Sequence, residues 1–124
     1  MPLTNAYRDY VAADTVGDAT PRFDSANAYI GVGDGTAAFS PTQTDLQGTN
    51  KFRKAMDPGY PTVTGNVMTF KATFNPSEAN FAWNEWGVFN AATGGIMLNR
   101  KVASLGTKDN TQTWVLTAQI TLNV

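Results

Sequence analysis

From Thr113 to Val124 the chain reads TWVLTAQITLNV, in which Trp114, Leu116, Ala118, Ile120, Leu122 and Val124 alternate with Thr113, Val115, Thr117, Gln119, Thr121 and Asn123. Successive side chains of an extended strand point to opposite faces, whereas the apolar positions of a helix recur every three or four residues. A period of two held this long therefore predicts a strand. At about 3.3 Å per residue it would span roughly 40 Å, enough to cross a small domain's sheet or to reach a neighbour. The same period governs VMTFKATF, where Met68, Phe70, Ala72 and Phe74 share one face and Val67, Thr69, Lys71 and Thr73 the other. Just before it, Gly65-Asn66 sits between β-prone runs as a hairpin turn would.

Elsewhere the periods are shorter. Leu3, Ala6, Tyr7, Tyr10 and Val11 recur at helical spacing with Thr4 or Asn5 able to cap the first turn, which predicts a helix over residues 4–14. The turn-rich TVGDATPRFDSAN leads into a strand in which Ala28, Ile30 and Val32 alternate with Tyr29, Gly31 and Gly33, ending at Asp34-Gly35. In SPTQTDLQG, Ser40 as N-cap, Pro41 at the first helical position, Gln43 completing a capping box and Gly48 as a stop predict one or two helical turns. Residues 51–56 are β-prone, and DPGYP then breaks the chain. The expected architecture is one mainly β domain over residues 1–124, an antiparallel β-sandwich or curled sheet with a short N-terminal helix and mostly strands and loops from residue 26.

Cysteine and histidine are both absent. Disulfides, thiolate or imidazole metal sites and Ser-His or Cys-His relays are therefore unavailable, and no cofactor or metal is expected. Nine basic residues balance ten acidic ones, so no footprint for nucleic acid or an anionic membrane stands out. The basic clusters Lys51-Phe52-Arg53-Lys54 and Arg100-Lys101 read as solvated strand faces. The first ten residues lack a basic segment followed by an apolar run, and no stretch approaches the ~20 apolar residues that span a bilayer. A soluble chain without a recognisable export signal is expected.

The stretch FAWNEWGVFNAATGGIMLNRK, residues 81–101, carries the one tempting acid, Glu85. A hairpin of residues 81–89 and 96–102 around a 90–95 loop, with Phe89 facing Ile96, would set Glu85 opposite Arg100, Trp83 opposite Val102 and Gly87 opposite Leu98. Glu85 and Arg100 are then a structural ion pair screened by aromatic neighbours, of the kind that contributes ~0.2–1 kcal/mol across strands. A catalytic reading would need a second positioned acid, base or metal, and a glycosidase two carboxylates ~5–10 Å apart. No partner for Glu85 is evident, so an enzyme is not expected. Trp83 and Trp86 are three positions apart and should point to opposite faces, which sends one of them to a second layer, a partner subunit or solvent. With Trp114 and the tyrosines they are also the candidates for a sugar-stacking platform. GVGDGT lacks the G-x-G-x-x-G order and a following Lys-Ser/Thr. It reads as a strand whose small residues allow close packing, and neither Asp18 nor Asp34 sits in a calcium-loop spacing.

Taken in order, NAYIGVGDGTAAFSPTQTDLQG, NFAWNEWGVFNAATGGIMLNRKV and LGTKDNTQTWVLTAQITL resemble small structural proteins of tailed-bacteriophage virions. The resemblance rests on Gly33-Asp34-Gly35, Pro41 to Leu46, an EWGVF or EIGLF signature at Glu85 to Phe89, and a return strand at Met97 to Lys101. It covers most of the chain after residue 26. It implies a non-enzymatic virion component, assembled in the host cytoplasm and found in the virion. Because E-x-G-x-F elements also occur in tail-fibre and baseplate proteins, head and tail both stay open. With no repetitive shaft, coiled coil or receptor-binding tip after the long strand, a capsid decoration or cement protein is favoured. A tail, collar or baseplate accessory and a carbohydrate-binding attachment module are the alternatives. The expected partners are the major capsid protein or tail proteins of the same virion and further copies of the chain, with neither nucleic acid nor membrane. Trp86, Lys51, Arg53, Tyr7 and Tyr10 are the candidate assembly contacts.

Overall fold

The computed structural model describes residues 3–18 and 21–123. The expectations placed on Ala19, Thr20 and Val124 lie outside the described residues. Among the described residues one helix, α1 (Asn5–Thr15), precedes seven strands: β1 (Tyr29–Gly33), β2 (Lys51–Ala55), β3 (Thr62–Thr64), β4 (Val67–Phe74), β5 (Ala82–Phe89), β6 (Lys101–Thr107) and β7 (Trp114–Thr121). The strands form two open antiparallel sheets, ordered β2-β1-β5-β6 and β3-β4-β7. The protein is thus mainly β with one short helix, as the patterning predicts.

The sheets face each other through the residues that alternation assigns inward. Ile30, Val32, Trp86 and Val88 from the first sheet meet Phe70, Ala72, Phe74, Ala118 and Ile120 from the second, all buried. Edge-to-face aromatic contacts join them, with ring centroids 4.8 Å apart for Phe74 and Trp83 and 5.0 Å for Trp83 and Trp114. Buried aromatic pairs of this geometry add to simple area burial because ring edges meet ring faces.

Thr4, the first of the two expected caps, closes α1: its hydroxyl oxygen accepts from Tyr7 N–H at 3.1 Å and donates to the Met97 carbonyl. Thr4 N–H also reaches Leu98 O at 3.1 Å, so the helix start is stitched to the segment before β6. Tyr7 and Tyr10 turn inward and clasp Phe23, with centroids 5.6 and 5.1 Å away. Val11, expected on the same face, is 40 % exposed. Gly65-Asn66 makes the β3–β4 turn, and Gly65 adopts φ +59°, the left-handed conformation a two-residue hairpin turn demands.

Three expectations are corrected. Residues 40–48 form no helix: after a turn at 41–42 the chain is irregular. A helix would commit the N–H groups of Gln47 and Gly48 to carbonyls within the segment, and here both bond to the Glu85 carboxylate instead. The terminal strand β7 is eight residues rather than twelve, because its partner β4 has eight and begins directly after the hairpin turn. The β5–β6 pairing also departs from the expected register. Phe89 faces Met97 rather than Ile96, Glu85 faces Val102, and Trp83 faces Gly106. The return segment fits one extra residue between Met97 and Lys101 than β5 does between Phe89 and Trp86, the signature of a β-bulge.

Candidate functional site

On the outer face of the first sheet, cross-strand partners are Tyr29 with Phe89, Gly31 with Gly87, and Gly33 with Glu85. Residues 34–50 lie across this face, and Leu46, Phe89 and Met97 form a second, smaller buried cluster with Tyr29 packed against it. The glycines are explained by that covering. A Cβ on Gly31 would stand 2.6 Å from the Phe89 ring, and one on Gly33 would stand 2.4 Å from Glu85 Oε2. GVGDGT is therefore a strand kept bare so that a neighbouring side chain and a loop can lie on it.

Glu85 occupies the centre, 0 % exposed. Its Oε2 accepts from Gly35 N–H at 2.9 Å and Gly48 N–H at 2.8 Å. Its Oε1 accepts from Gln47 N–H at 2.8 Å and from Arg100 Nε at 2.7 Å. Arg100, also 0 % exposed, donates from Nη1 to Gln43 Oε1 at 3.2 Å, while its Nη2 is buried without a hydrogen-bond partner. The salt bridge expected between Glu85 and Arg100 forms, but not between directly opposed residues. With Glu85 facing Val102, Arg100 is its diagonal neighbour two residues along the strand, within reach of a long side chain.

A register shift between Trp83 and Glu85 interrupts the pleat of β5. Asn84 and Glu85 consequently reach the same segment, Asn84 Nδ2 to Asp34 O at 3.2 Å and Glu85 to Gly35. Trp83 and Trp86 both join the core between the sheets. This corrects the expectation that one tryptophan leaves the core. The second layer exists, but Leu46, Phe89 and Met97 build it. Tyr7, Tyr10 and Trp86 are buried at 6 %, 9 % and 7 % exposure, so the contact surface expected of them is not available. The cause is local: the two tyrosines close over Phe23, and Trp86 points between the sheets.

Lys51 and Arg53 remain near the surface. Arg53 crosses over the glycine row, its guanidinium 3.6 Å from the Phe89 ring centroid, and donates to Ala91 O at 2.8 Å and Gly94 O at 2.9 Å. Burial lowers its pKa, with Asp45 opposing. It ties down the 90–95 loop, which Asn90 closes by accepting from Ile96 N–H on its side-chain oxygen at 2.7 Å. Lys51 Nζ pairs with Asp45 at 3.0 Å. Burial pushes the Asp45 carboxyl up, but hydrogen bonds from Lys51 and Leu46 N–H and the charges of Lys51 and Arg53 outweigh it and hold the group below its usual range.

Lys108 was not singled out from the sequence, yet it is 1 % exposed and caps the 75–80 loop through Asn75 O at 2.8 Å and Asn80 Oδ1 at 2.9 Å. Neither pattern nor composition around it signals burial. A cavity of about 560 Å³ lies away from Glu85 and is walled mainly by Phe23, Tyr60, Val63, Met68 and Phe70. Among the described residues no group of three or more acidic side chains is placed to hold a metal. The Glu85 carboxylate accepts two hydrogen bonds on each oxygen, and Glu85 lines none of the cavities walled by Phe23 and Tyr60, by Asp45 and Arg53, or by Trp83 and Trp114. No protein-family model, curated protein or solved structure matches the chain.

Proposed function

We infer that the chain is a non-enzymatic structural component of a tailed-bacteriophage virion, a decoration or cement protein of the head, working with the major capsid protein and with further copies of itself. The observation that carries this reading is the convergence of the resemblance segments. Gly33 to Gly35, Leu46, Glu85 to Phe89 and Met97 to Arg100 lie far apart in sequence and meet at one buried knot. A set of residues that together build a rigid shell, rather than a cleft, suits a protein whose task is to present surfaces. Cement proteins act by adding contact area across capsomer joints, so that many modest interactions together resist internal pressure.

A tail, collar or baseplate accessory is the second reading, since the E-x-G-x-F element at Glu85 to Phe89 is shared with such parts. A saccharide-binding role loses its main support, because Trp83 and Trp86 are core residues and cannot form a stacking platform. Immunogold electron microscopy of intact particles, with particles lacking the protein as control, tests the proposal. Gold over the head is expected. Gold confined to the tail would move the assignment there, and particles without label would overturn it.

A further inference from the structure

We propose that β7 is a self-association edge, pairing antiparallel with β7 of a second copy to make one continuous six-stranded sheet in the order β3-β4-β7-β7-β4-β3. The four strands that lie at sheet edges are β2, β6, β3 and β7. Exposed edges present unpaired N–H and C=O groups, and proteins that stay monomeric blunt them with charge, proline, irregularity or brevity. β2 carries Lys51, Arg53 and Lys54, and β3 is three residues long directly after Pro61. β6 carries Lys101, a register shift against β5, and Gly106 at φ +111°. β7 has none of these devices. It runs in unbroken register along β4, contains neither glycine nor proline, and lies in a stretch without a charged side chain from Asn110 to Asn123.

The backbone geometry defines what the open edge offers. Leu122 N–H bonds to Asn66 O at 2.9 Å, so the main chain of Leu122 faces β4. Alternation along the regular ladder then turns Ile120, Ala118, Leu116 and Trp114 the same way. Val115, Thr117, Gln119 and Thr121 therefore direct their N–H and C=O groups to the free edge. An antiparallel mate centred on Ala118 sets Val115 opposite Thr121 and Thr117 opposite Gln119, and each such pair exchanges two hydrogen bonds. Every outward group from Val115 to Thr121 is then satisfied by the same strand in the other copy.

The side chains agree with a second copy as the occupant. The outer-face positions are β-branched or neutral, with Val115 51 % exposed, so like charges never meet across the two-fold axis. Beside the edge, a cleft of about 350 Å³ opens between the two sheets, lined by Trp83, Leu105, Trp114, Val115 and Leu116. A charged partner would find no complementary group on this edge, whereas a second β7 would both complete the ladder and shield the cleft. The proposal deepens the assembly reading and shares with it only the expectation of self-association.

The test is sedimentation equilibrium of the full chain from micromolar to millimolar concentration, with two variants. Thr117→Pro removes an N–H that faces the open edge and takes no bond from β4, and Gln119→Lys places a charge in each copy at the joint. The expected result is a wild-type dimer whose dissociation constant rises about tenfold or more in both variants, with Gln119→Lys keeping the wild-type unfolding midpoint. Because the chain has no cysteine, a mixture of Thr117→Cys and Gln119→Cys chains is also expected to form a mixed disulfide on oxidation, which decides the matter if the proline variant fails to fold. A monomeric wild type, variants that dimerise as the wild type does, or no mixed disulfide would overturn the proposal. A monomer found on virions would sink the dimer alone, and a dimer absent from particles would sink the virion reading alone.

Discussion

Replacing Glu85 by glutamine should unfold this domain more readily than its near-isosteric size suggests. The glutamine carbonyl can stand in for one carboxylate oxygen only. Whichever way the amide turns, its NH2 confronts either Gly35 and Gly48 N–H or Gln47 N–H and Arg100 Nε, donor against donor. Arg100, already carrying an unpaired Nη2, then becomes a buried cation without its counter-charge. Breaking one partner of a buried ion pair costs about 3–5 kcal/mol, a large share of the 5–15 kcal/mol typical of a whole domain. At roughly 4 °C per kcal/mol for a chain of this size, the midpoint of thermal unfolding should fall by ~12–20 °C.

Urea titration followed by tryptophan emission suits the measurement, since Trp83 and Trp86 are buried and report on the core. The arrangement also dictates an order. Arg100→Met leaves the carboxylate with three backbone donors, while Glu85→Met strands those three donors and the guanidinium together. Glu85→Met should therefore be the worse of the two, and the double variant should not recover wild-type stability, unlike buried pairs that tolerate apolar replacement. A Glu85→Gln protein within ~1 kcal/mol of wild type, or an Arg100→Met protein less stable than Glu85→Met, would refute the reasoning.

Further outcomes follow from the same geometry. Gly33→Ala places a Cβ 2.4 Å from Glu85 Oε2 and should cost ~1–3 kcal/mol by overpacking, read as a lower urea midpoint with an unchanged slope. Thr4→Ala removes both the helix cap and the bond to the Met97 carbonyl; a loss of ~1–2 kcal/mol is expected in the same assay. On acidification, Asp45 and Glu78 both titrate below their usual range in the folded protein; burial opposes this at Glu78, but the bonds from Lys54 and Asn75 N–H prevail. Their folded pKa values are depressed, so the stability they add is present above the ordinary carboxylate range and is lost as pH falls through the folded values. Unfolding midpoints should thus drop below about pH 4, and Lys54→Met, which removes the Glu78 partner, should flatten that decline.

The parts of the fold that were legible in the sequence are those decided by strand parity and local turns. Phe70, Ala72 and Phe74 on β4, and Ala118 and Ile120 on β7, face the core as their alternation predicts. The Gly65-Asn66 turn and the Thr4 cap are short-range devices whose chemistry is complete within a few residues. What could not be read is where a distant group overrides a local preference. Ser40, Pro41 and Gln43 satisfy a helix-start pattern, yet Gln47 and Gly48 serve a carboxylate 38 and 37 residues away along the chain. Parity itself failed on β5 because a register shift lies between Trp83 and Glu85, and nothing in FAWNEWGVF marks it.

The knot around Glu85 also changes what the resemblance to virion proteins can mean. A motif that recurs because it binds or reacts should place its polar groups at an opening, whereas these residues seal one another. Gly33 and Gly35 leave room for the carboxylate, the Gln47 and Gly48 amides cap it, Arg100 meets its charge, and Leu46, Phe89 and Met97 pack as an apolar cluster on the same face of the sheet. Loss of the carboxylate would leave three backbone donors and the guanidinium unmet, which ties these segments into one unit in this chain. In this chain the residues that carry the resemblance therefore serve architecture. On the proposed virion role, docking would use surfaces the knot leaves free, where the uncharged edge of β7 and the Lys51 to Lys54 strand differ in kind. The first offers backbone hydrogen bonds and little else, suited to a copy of itself. The second carries cations already met within the chain, Lys51 and Arg53 by Asp45 and Lys54 by Glu78, which leaves the half-exposed Lys51 as the charge that an acidic surface of a different protein could share. If the chain dimerises through β7 and docks on a virion through β2 as proposed, Lys51→Glu, which sets a second carboxylate beside Asp45, should weaken attachment to particles while leaving the dimer intact. A Lys51→Glu protein that loses its dimer, or one that still decorates particles as wild type does, would break this division of labour between the two edges.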